Sequence, residues 1–529
     1  MMKGKRLLSA LLLTAAALAG LLLALSSSQA QAQEPSSQID WPYPRYDLAN
    51  TAAVRGAKWQ LLEEPEKLWE TTPPEGYSFH SLFPVAADID NDARAEFIIG
   101  VSNFKEGDYW LYAFNVEDGS ILWKRQIGDW FHWSAPTIVD INNDGQLDVV
   151  LATNSEVLAL KGDDASLIWS RPFTDSGLGM TVADVNGDGL VEIIINDYGD
   201  PKKIHLLNGQ DGSLIWQRET GGSAYNIPTV GDINGDGRPE ILSHNHLYNP
   251  SRERLLVWDQ DGNELWSYQA SPSPEQEAQA PPELGWVPDF GYISTTIADF
   301  NADGKIEIGW GTRCHYYLLD GQGKLLWRVP TVQGYGIVVY HHADGTIEPD
   351  VHGTGGPTGF AAAVGNIDGD PALEILLSFK PEYRADVYEI TSTTILTHVT
   401  PANEIWALDG QDGSIQWVFE GEYPSEYKLE QMYEPILVDL TGDGLLDVLV
   451  LSVDGHLYAI KGSTGEQLKA YSIKPASGFW YAEDLTFVGY NTWGIVLYID
   501  NSDGLSKLHA LRIASRKFEV YLPVVMRGW

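Results

Sequence analysis

The stretch DVNGDGLVEIII, Asp184 to Ile195, decides the fold. Side-chain oxygens stand at its first, third, fifth and ninth positions: Asp184, Asn186, Asp188 and Glu192. Alternate positions of a tight loop aim such oxygens at one point, and the seventh residue can add a backbone carbonyl. Gly187 and Gly189 permit the turn. Ile193, Ile194 and Ile195 follow at once, and β-branched residues favour a strand. Apolar residues also precede such a loop, as in Ile227 to Gly231 before Asp232. The segment therefore reads as strand, oxygen-lined loop, strand.

The pattern occurs seven times. The other copies place oxygens at Asp88, Asp90, Asp92 and Glu96; Asp140, Asn142, Asp144 and Asp148; and Asp232, Asn234, Asp236 and Glu240. Further along they stand at Asp299, Asn301, Asp303 and Glu307; Asn366, Asp368, Asp370 and Glu374; and Asp439, Thr441, Asp443 and Asp447. The starts lie 52, 44, 48, 67, 67 and 73 residues apart. A period in the forties with insertions suits four-stranded propeller blades. After each second strand comes an alternating strand, a Gly turn and a Trp-bearing strand, as in YYLLDGQGKLLW ending at Trp327. The Asp-Gly and Gln-Gly pairs there are hairpin turn chemistry. One unit thus reads strand A, loop, strand B, strand C, turn, strand D.

Trp480 to Val488, Trp493 to Ile499 and Leu508 to Ile513 continue the strand pattern without the loop, as strands A, B and C of an eighth unit. Its strand D is either Phe518 to Leu522 or the N-terminal Lys67 to Glu70. The second choice would join the chain ends and remove a free sheet edge. The expected fold is an all-β propeller of eight blades with calcium loops between strands A and B; seven blades and a side hairpin is the alternative. The expected boundaries are a signal peptide over 1–32, a lead-in over 33–66, the propeller over 67–522 and a tail over 523–529.

Hard oxygen ligands in a flexible loop suit Ca²⁺. An EF-hand puts its last acid at position 12, between helices; here it comes at nine and strands follow. The seven loops carry 22 acidic side chains. Two carboxylates about 4 Å apart repel by roughly 4 kcal/mol near a surface. The loops are therefore expected to close around cations, about seven Ca²⁺. A single copy would equally be a plain Asp-Asn-Gly turn; seven copies at blade spacing are not. These residues resemble the FG-GAP or VCBS repeats, the calcium-binding blades of integrin α-chain propellers. The DxNxDGxxE core carries the likeness, from Ser81 to about Lys469. The resemblance implies that the loop positions named above are the ligands. The C–D hairpins, such as LYAFNVEDGSILW, are also similar to the repeats of quinoprotein-type propellers. The copy at Asn366 lacks the leading acid and the glycine, which predicts weaker binding. The copy at Asp88 has Ala93 in place of the glycine and an extra Asp.

Lys3, Lys5 and Arg6 precede an apolar run from Leu7 to Leu25, and Ala30-Gln-Ala32 follows, as in a cleaved export signal. The run nearly reaches spanning length, so an uncleaved N-terminal anchor is the alternative. No cysteine near the cut excludes a lipoprotein. Cys314 is the only cysteine, so no intrachain disulfide forms, and metal is the usual substitute staple. With 73 acidic and 34 basic residues and a net charge of −39, the chain repels nucleic acid and anionic membranes. A secreted or cell-surface protein is expected, with no membrane insertion after signal removal. Composition sets no oligomeric state.

In an A–B–C–D meander the A–B and C–D connections share one face, and the B–C and D–A connections share the other. The oxygen-lined loops fall on the first face. Long insertions fall on the second: Ser271 to Phe290, Arg328 to Phe360 and Glu420 to Gln431 between D and A, and Asn103 to Tyr109, His244 to Arg254 and Phe379 to Asn403 between B and C. Variable loops on one side of a rigid scaffold are where binding is expected. Residues before strand A should line the channel mouth there: His80, His132, Trp133, Tyr225, Trp286, Tyr292, Phe360, Tyr433 and Trp480. Such rings suit sugars or peptide side chains, or simply fill the channel. Trp123, Trp169, Trp216, Trp266, Trp327 and Trp417 of strand D are expected to pack blades. His341, His342, Asp344 and His352 share an insertion but match no metal-site spacing, and His244 and His246 are expected as loop contacts.

The leading functional expectation is a binding or adhesion module for an extracellular glycan or protein. The alternative is a polysaccharide lyase, because the chain resembles rhamnogalacturonan lyases in blade motif. His80 and His132, with Lys428 or Arg384, would then supply the base and its cationic partner. A quinone-dependent dehydrogenase is a third option, against which stands the single cysteine: no vicinal disulfide can cover the cofactor.

Overall fold

Among the described residues the repeated strand–loop–strand pattern becomes six four-stranded antiparallel sheets, with one further sheet of three strands and one of eight. The computed structural model describes residues 53–130, 136–173, 176–197, 199, 201–222, 226–248, 251–271, 294–312, 315–331, 338–341, 347–350, 356–380, 392–395, 404–421, 435–452, 455–473, 482–490, 493–500 and 507–516. The expected signal peptide and C-terminal tail lie outside them. Among the described residues no helix is long and apolar enough to cross a membrane.

The third unit shows the build. Ser176–Ala183, Glu192–Asp197, Lys203–Asn208 and Leu214–Glu219 are neighbours in that order, as strands A to D. Side chains alternate across a strand. Ile193 and Ile195 pack with Val150 and Ala152 of the second unit, while Ile194 packs with Ile241 and Leu256 of the fourth. Both faces of the sheet are covered by neighbouring sheets, so strand B reads as an unbroken apolar run.

First strands touch in chain order: Ser78–Ala87, Thr137–Val139, Ser176–Ala183, Thr229–Gly231, Thr296–Ala298, Gly356–Gly365 and Ile436–Asp439. Asp447–Ser452 then touches Ala482–Tyr490, which returns to Ser78–Ala87. The succession closes on itself. Ala53–Thr71 makes the join. Its start runs parallel to Ile436–Asp439, with Ala53 opposite Leu437, and Trp59 to Thr71 pair antiparallel with Lys507–Arg516. The N-terminal strand thus takes the strand D place of the eighth unit, and it begins at residue 53 rather than near 67. Phe518 to Leu522 lie outside the described residues.

Indoles link seven of the units to the next, all but the seventh, whose strand Gln467–Ser472 has no tryptophan. The Nε1 of Trp69, Trp123, Trp169, Trp216, Trp266, Trp327 and Trp417 donates to the carbonyl of Val116, Gly162, Gly209, Gln260, Gly321, Gly410 and Gly462 respectively, at 2.6–3.1 Å. Each acceptor lies at the C–D turn of the following unit. These turns come so close that a Cβ on Gly321 would stand 1.8 Å from the Ile233 carbonyl oxygen of the preceding unit. The strand D tryptophans therefore pack between sheets, and Trp69 is a seventh member supplied by the N-terminal strand.

The long insertions meet. Val338–His341 pairs with Ile347–Asp350 of its own D–A insertion and with Ser392–Ile395 of the next B–C insertion, forming the three-stranded sheet.

Candidate metal-binding loops

In all seven loops the seventh residue's N–H donates to Oδ1 of the fifth-position aspartate. In the first, Asp92 N and Ala93 N donate to the two carboxylate oxygens of Asp88 at 3.1 and 3.0 Å. Arg94 N donates to Asp92 Oδ1 at 2.9 Å. The second residue is apolar and buried in every copy: Ile89, Ile141, Val185, Ile233, Phe300, Ile367 and Leu440. It anchors the loop in the core, and its N–H donates to one oxygen of the ninth acid at 2.8–3.2 Å in all seven. The sixth residue turns the chain at positive φ, 84–94° at Gly145, Gly189, Gly237, Gly304 and Gly444 and 69° at Ala93. Glycine suits that conformation without steric cost.

The second oxygen of the ninth acid is the informative atom. Glu96 Oε1 and Glu374 Oε1 are buried and accept no hydrogen bond. Leaving a carboxylate oxygen buried without a partner is costly. Among the described residues, three loops bring acids together: Asp88, Asp90 and Glu96; Asp299, Asp303 and Glu307; and Asp368, Asp370 and Glu374. In each, one oxygen per residue lies within 4.8 Å of the others. The donor set fits a hard divalent cation. The last cluster forms although Asn366 replaces the leading acid; its Nδ2 donates to the Asp370 carbonyl instead. In the third and fourth loops Asn186 and Asn234 donate to the Oε1 of Glu192 and Glu240 at 2.9 and 2.6 Å.

Burial pushes the Glu96 and Glu374 carboxyls up to about 8, and Glu240, Glu307 and Asp148 up to about 7. The amide of the second residue opposes this, and neighbouring aspartates add to it. Cation-free protein is therefore expected to be more stable at pH 5 than at pH 8. The folded state holds protons that unfolded glutamates, titrating near 4.5, have released. That advantage is complete below about 4.5 and lost as pH rises through about 8. Melting curves in EDTA across this range check the slope; a flat or rising profile contradicts it.

A cleft of about 500 Å³ opens between the fourth and fifth loops, lined by Asn234, Asp303 and Lys305 and by Asp320 and Gln322 of a C–D turn. The A–B and C–D connections thus share a face there. At the opposite end Phe104, of a B–C connection, lies with its ring 5.1 Å from that of Trp130, of a D–A connection, and 6.2 Å from that of Tyr109. Phe104 is 48% exposed. Asp108 beside it accepts from the Tyr77 hydroxyl and, at 2.9 Å, from Gln126 Nε2. Sequence reasoning passed over this cluster; its one signal was the insertion Asn103 to Tyr109.

The structure places His80 in strand Ser78–Ala87, opposite Gly100, and Phe360 in strand Gly356–Gly365. His132, Trp133, Tyr225, Trp286, Tyr292, Tyr433 and Trp480 lie outside the described residues, as do His342, Asp344, His352, Arg384 and Lys428. His341 lies in strand Val338–His341. His244 corrects the sequence reading. It is not a loop contact but a buried residue of strand Glu240–Tyr248, with Nδ1 2.9 Å from Glu253 Oε2. His246 shares that strand, which pairs with Ser251–Trp258 as far as Tyr248, opposite Ser251. The polar run Ser243 to Asn245 finds buried partners, Asn245 on the Thr220 carbonyl and Ser243 on Asn196 and Asn226. The strand therefore continues where the apolar pattern stops.

The profile of the FG-GAP-like repeat matches residues 140–195 and 184–243, which hold the second, third and fourth loops. The chain thus carries FG-GAP-like repeats. No curated protein matches it. Among solved structures, a quinohemoprotein alcohol dehydrogenase from Comamonas testosteroni is similar over 90% of this chain and 80% of its own, with a TM-score of 0.59 and 12% identity. A europium-containing methanol dehydrogenase is similar over 91% and 98%, with a TM-score of 0.57 and 11% identity. At such identities the likeness is one of fold, and it is propeller-like.

Proposed function

We propose that this chain is a calcium-loaded propeller of eight blades, exported from the cell, that binds an extracellular glycan on the face opposite its metal loops. The binding role is carried by the cluster of Phe104, Tyr109 and Trp130. The exposed Phe104 ring and the half-buried rings of Tyr109 and Trp130, with the Asp108 carboxylate and the Gln126 amide nearby, combine stacking with hydrogen bonding, as sugar recognition requires. The long insertions on that face would also suit a protein partner. Calcium is supported by the orphaned oxygens of Glu96 and Glu374 amid acids. The count of eight is supported by the eight-stranded sheet, which divides into two sets of four beside the six four-stranded sheets. Export is supported by the basic start, the apolar run and Ala30-Gln-Ala32. The dehydrogenase likeness, being one of fold, supplies no reaction.

A glycan array and an extracellular protein panel, each probed with and without calcium, test this reading. A glycan hit is expected in calcium. Phe104→Ala should weaken it at least about tenfold, the effect of losing about 1.4 kcal/mol. Binding that Phe104→Ala leaves unchanged would remove the cluster from the site, and protein hits alone would overturn the glycan assignment.

A further inference from the structure

The loop from Asp439 to Asp447 has a lysine reaching into it from the facing strand. Across the sheet, the ninth acids Glu96, Glu192, Glu307 and Glu374 face Asn115, Asn208, Asp320 and Asp409 of strand C. In the fourth unit Asp259 follows Trp258, which faces Ile241, so Glu240 has an acid beside it as well. Two loops have aspartate in ninth place. Asp148 faces Lys161. Beside Asp447 stands Lys461, since Val448 faces Ile460. Glutamate thus goes with Asn or Asp in strand C, and aspartate goes with lysine. The physical reason is length: aspartate is one methylene shorter, so its carboxylate stops short of the loop centre and leaves room for an ammonium from the facing strand.

In the seventh loop that ammonium is in place. Lys461 Nζ donates to Asp443 Oδ2 and, at 3.3 Å, to Thr441 Oγ1, and it lies 3.9 Å from Asp447 Oδ1. These are the fifth, third and ninth positions, three of the four side chains a cation would need. The Lys461 side chain is 21% exposed, whereas Lys305, which pairs with Asp303 at the rim of the fifth loop, is 76% exposed. The oxygens of Asp439 accept from Gly442 N and Gly444 N, as those of Asp184 do from Gly187 N and Gly189 N, so it is Lys461 that sets this loop apart. A second ammonium is near: Lys58 pairs opposite Asp439, and its Nζ is 3.9 Å from where a Cβ on Gly444 would stand.

We propose that Lys461 takes the place of the cation in the seventh loop, so that this blade closes on an internal ion pair and binds no divalent ion. The donor set here does not fit the ion that suits the first, fifth and sixth loops. The inference rests on the calcium reading of those loops. It gives the seventh blade, the one paired with the N-terminal strand, a closure independent of calcium supply.

Bound calcium per chain, measured by atomic absorption after desalting, tests it on the full-length protein. Asp303→Asn should lose one ion relative to wild type. Asp443→Asn should lose none. Lys461→Asn with Asp447→Glu, which restores the pairing of the first and third units, should gain one. If Asp443→Asn loses an ion as Asp303→Asn does, Lys461 does not replace the cation, while the calcium reading stands. A double variant that folds and gains no ion also counts against the proposal. Wild type without calcium overturns both readings. Should the double variant not fold, the two single variants decide.

Discussion

Chelation is expected to lower the melting temperature of this protein by more than about 10 °C, and calcium should restore it. A ligand held only by the folded state stabilises it by about 2.7 kcal/mol at a hundredfold excess over Kd. Three acid clusters filled together would then contribute about 8 kcal/mol, comparable with the whole stability of many proteins, about 5–15 kcal/mol. Without cations, Asp88, Asp90 and Glu96 face one another, as do the fifth and sixth loop acids. The protein also carries a net charge of −39, which adds to the repulsion. Calorimetry in EDTA, then after adding calcium or magnesium, measures the shift. A melting curve that chelation leaves in place would sink the calcium reading.

Trp69→Ala is expected to destabilise the protein by about 3–5 kcal/mol, the usual result of deleting a buried tryptophan. Trp69 is 9% exposed and stacks on Phe114, with ring centroids 6.5 Å apart. Its Nε1 donates to the Val116 carbonyl at 2.8 Å, and the turn at Gly119 lies against its ring. It is carried on the strand that pairs with Lys507–Arg516, so its loss loosens the contact between the first and last parts of the chain. Urea unfolding reads the change, with cleavage by a protease reporting release of the N-terminal strand. A change under about 1 kcal/mol, as at an ordinary surface site, would show that the closure does not depend on this side chain.

Much of the repeat is local chemistry and could be read without coordinates. Oxygens at alternate positions, an apolar second residue such as Ile89 or Phe300 and a glycine at the sixth position each act within nine residues. The unbroken apolar strand B and the regular strand D tryptophans likewise repeat because every sheet meets the same neighbours on both faces. What the pattern missed depended on partners in neighbouring strands and connections. His244 looked like part of a polar connection because Glu253 and the surrounding amides that bury it are not periodic signals. The aromatic cluster joins Phe104 and Trp130 from two different connections.

The amino-acid order alone determined the loops, their oxygen-bearing side chains, the strand sequence within each unit and the acidic character, because these follow from side-chain chemistry and short-range backbone preference. Tertiary structure decided which segment completes the last sheet, pairing Trp59 with Arg516 across nearly the whole chain. It also decided which carboxylate oxygens are left unpartnered and where Lys461 reaches into a loop. Those outcomes depend on which surfaces exclude water together, and that is settled only when distant strands are brought side by side.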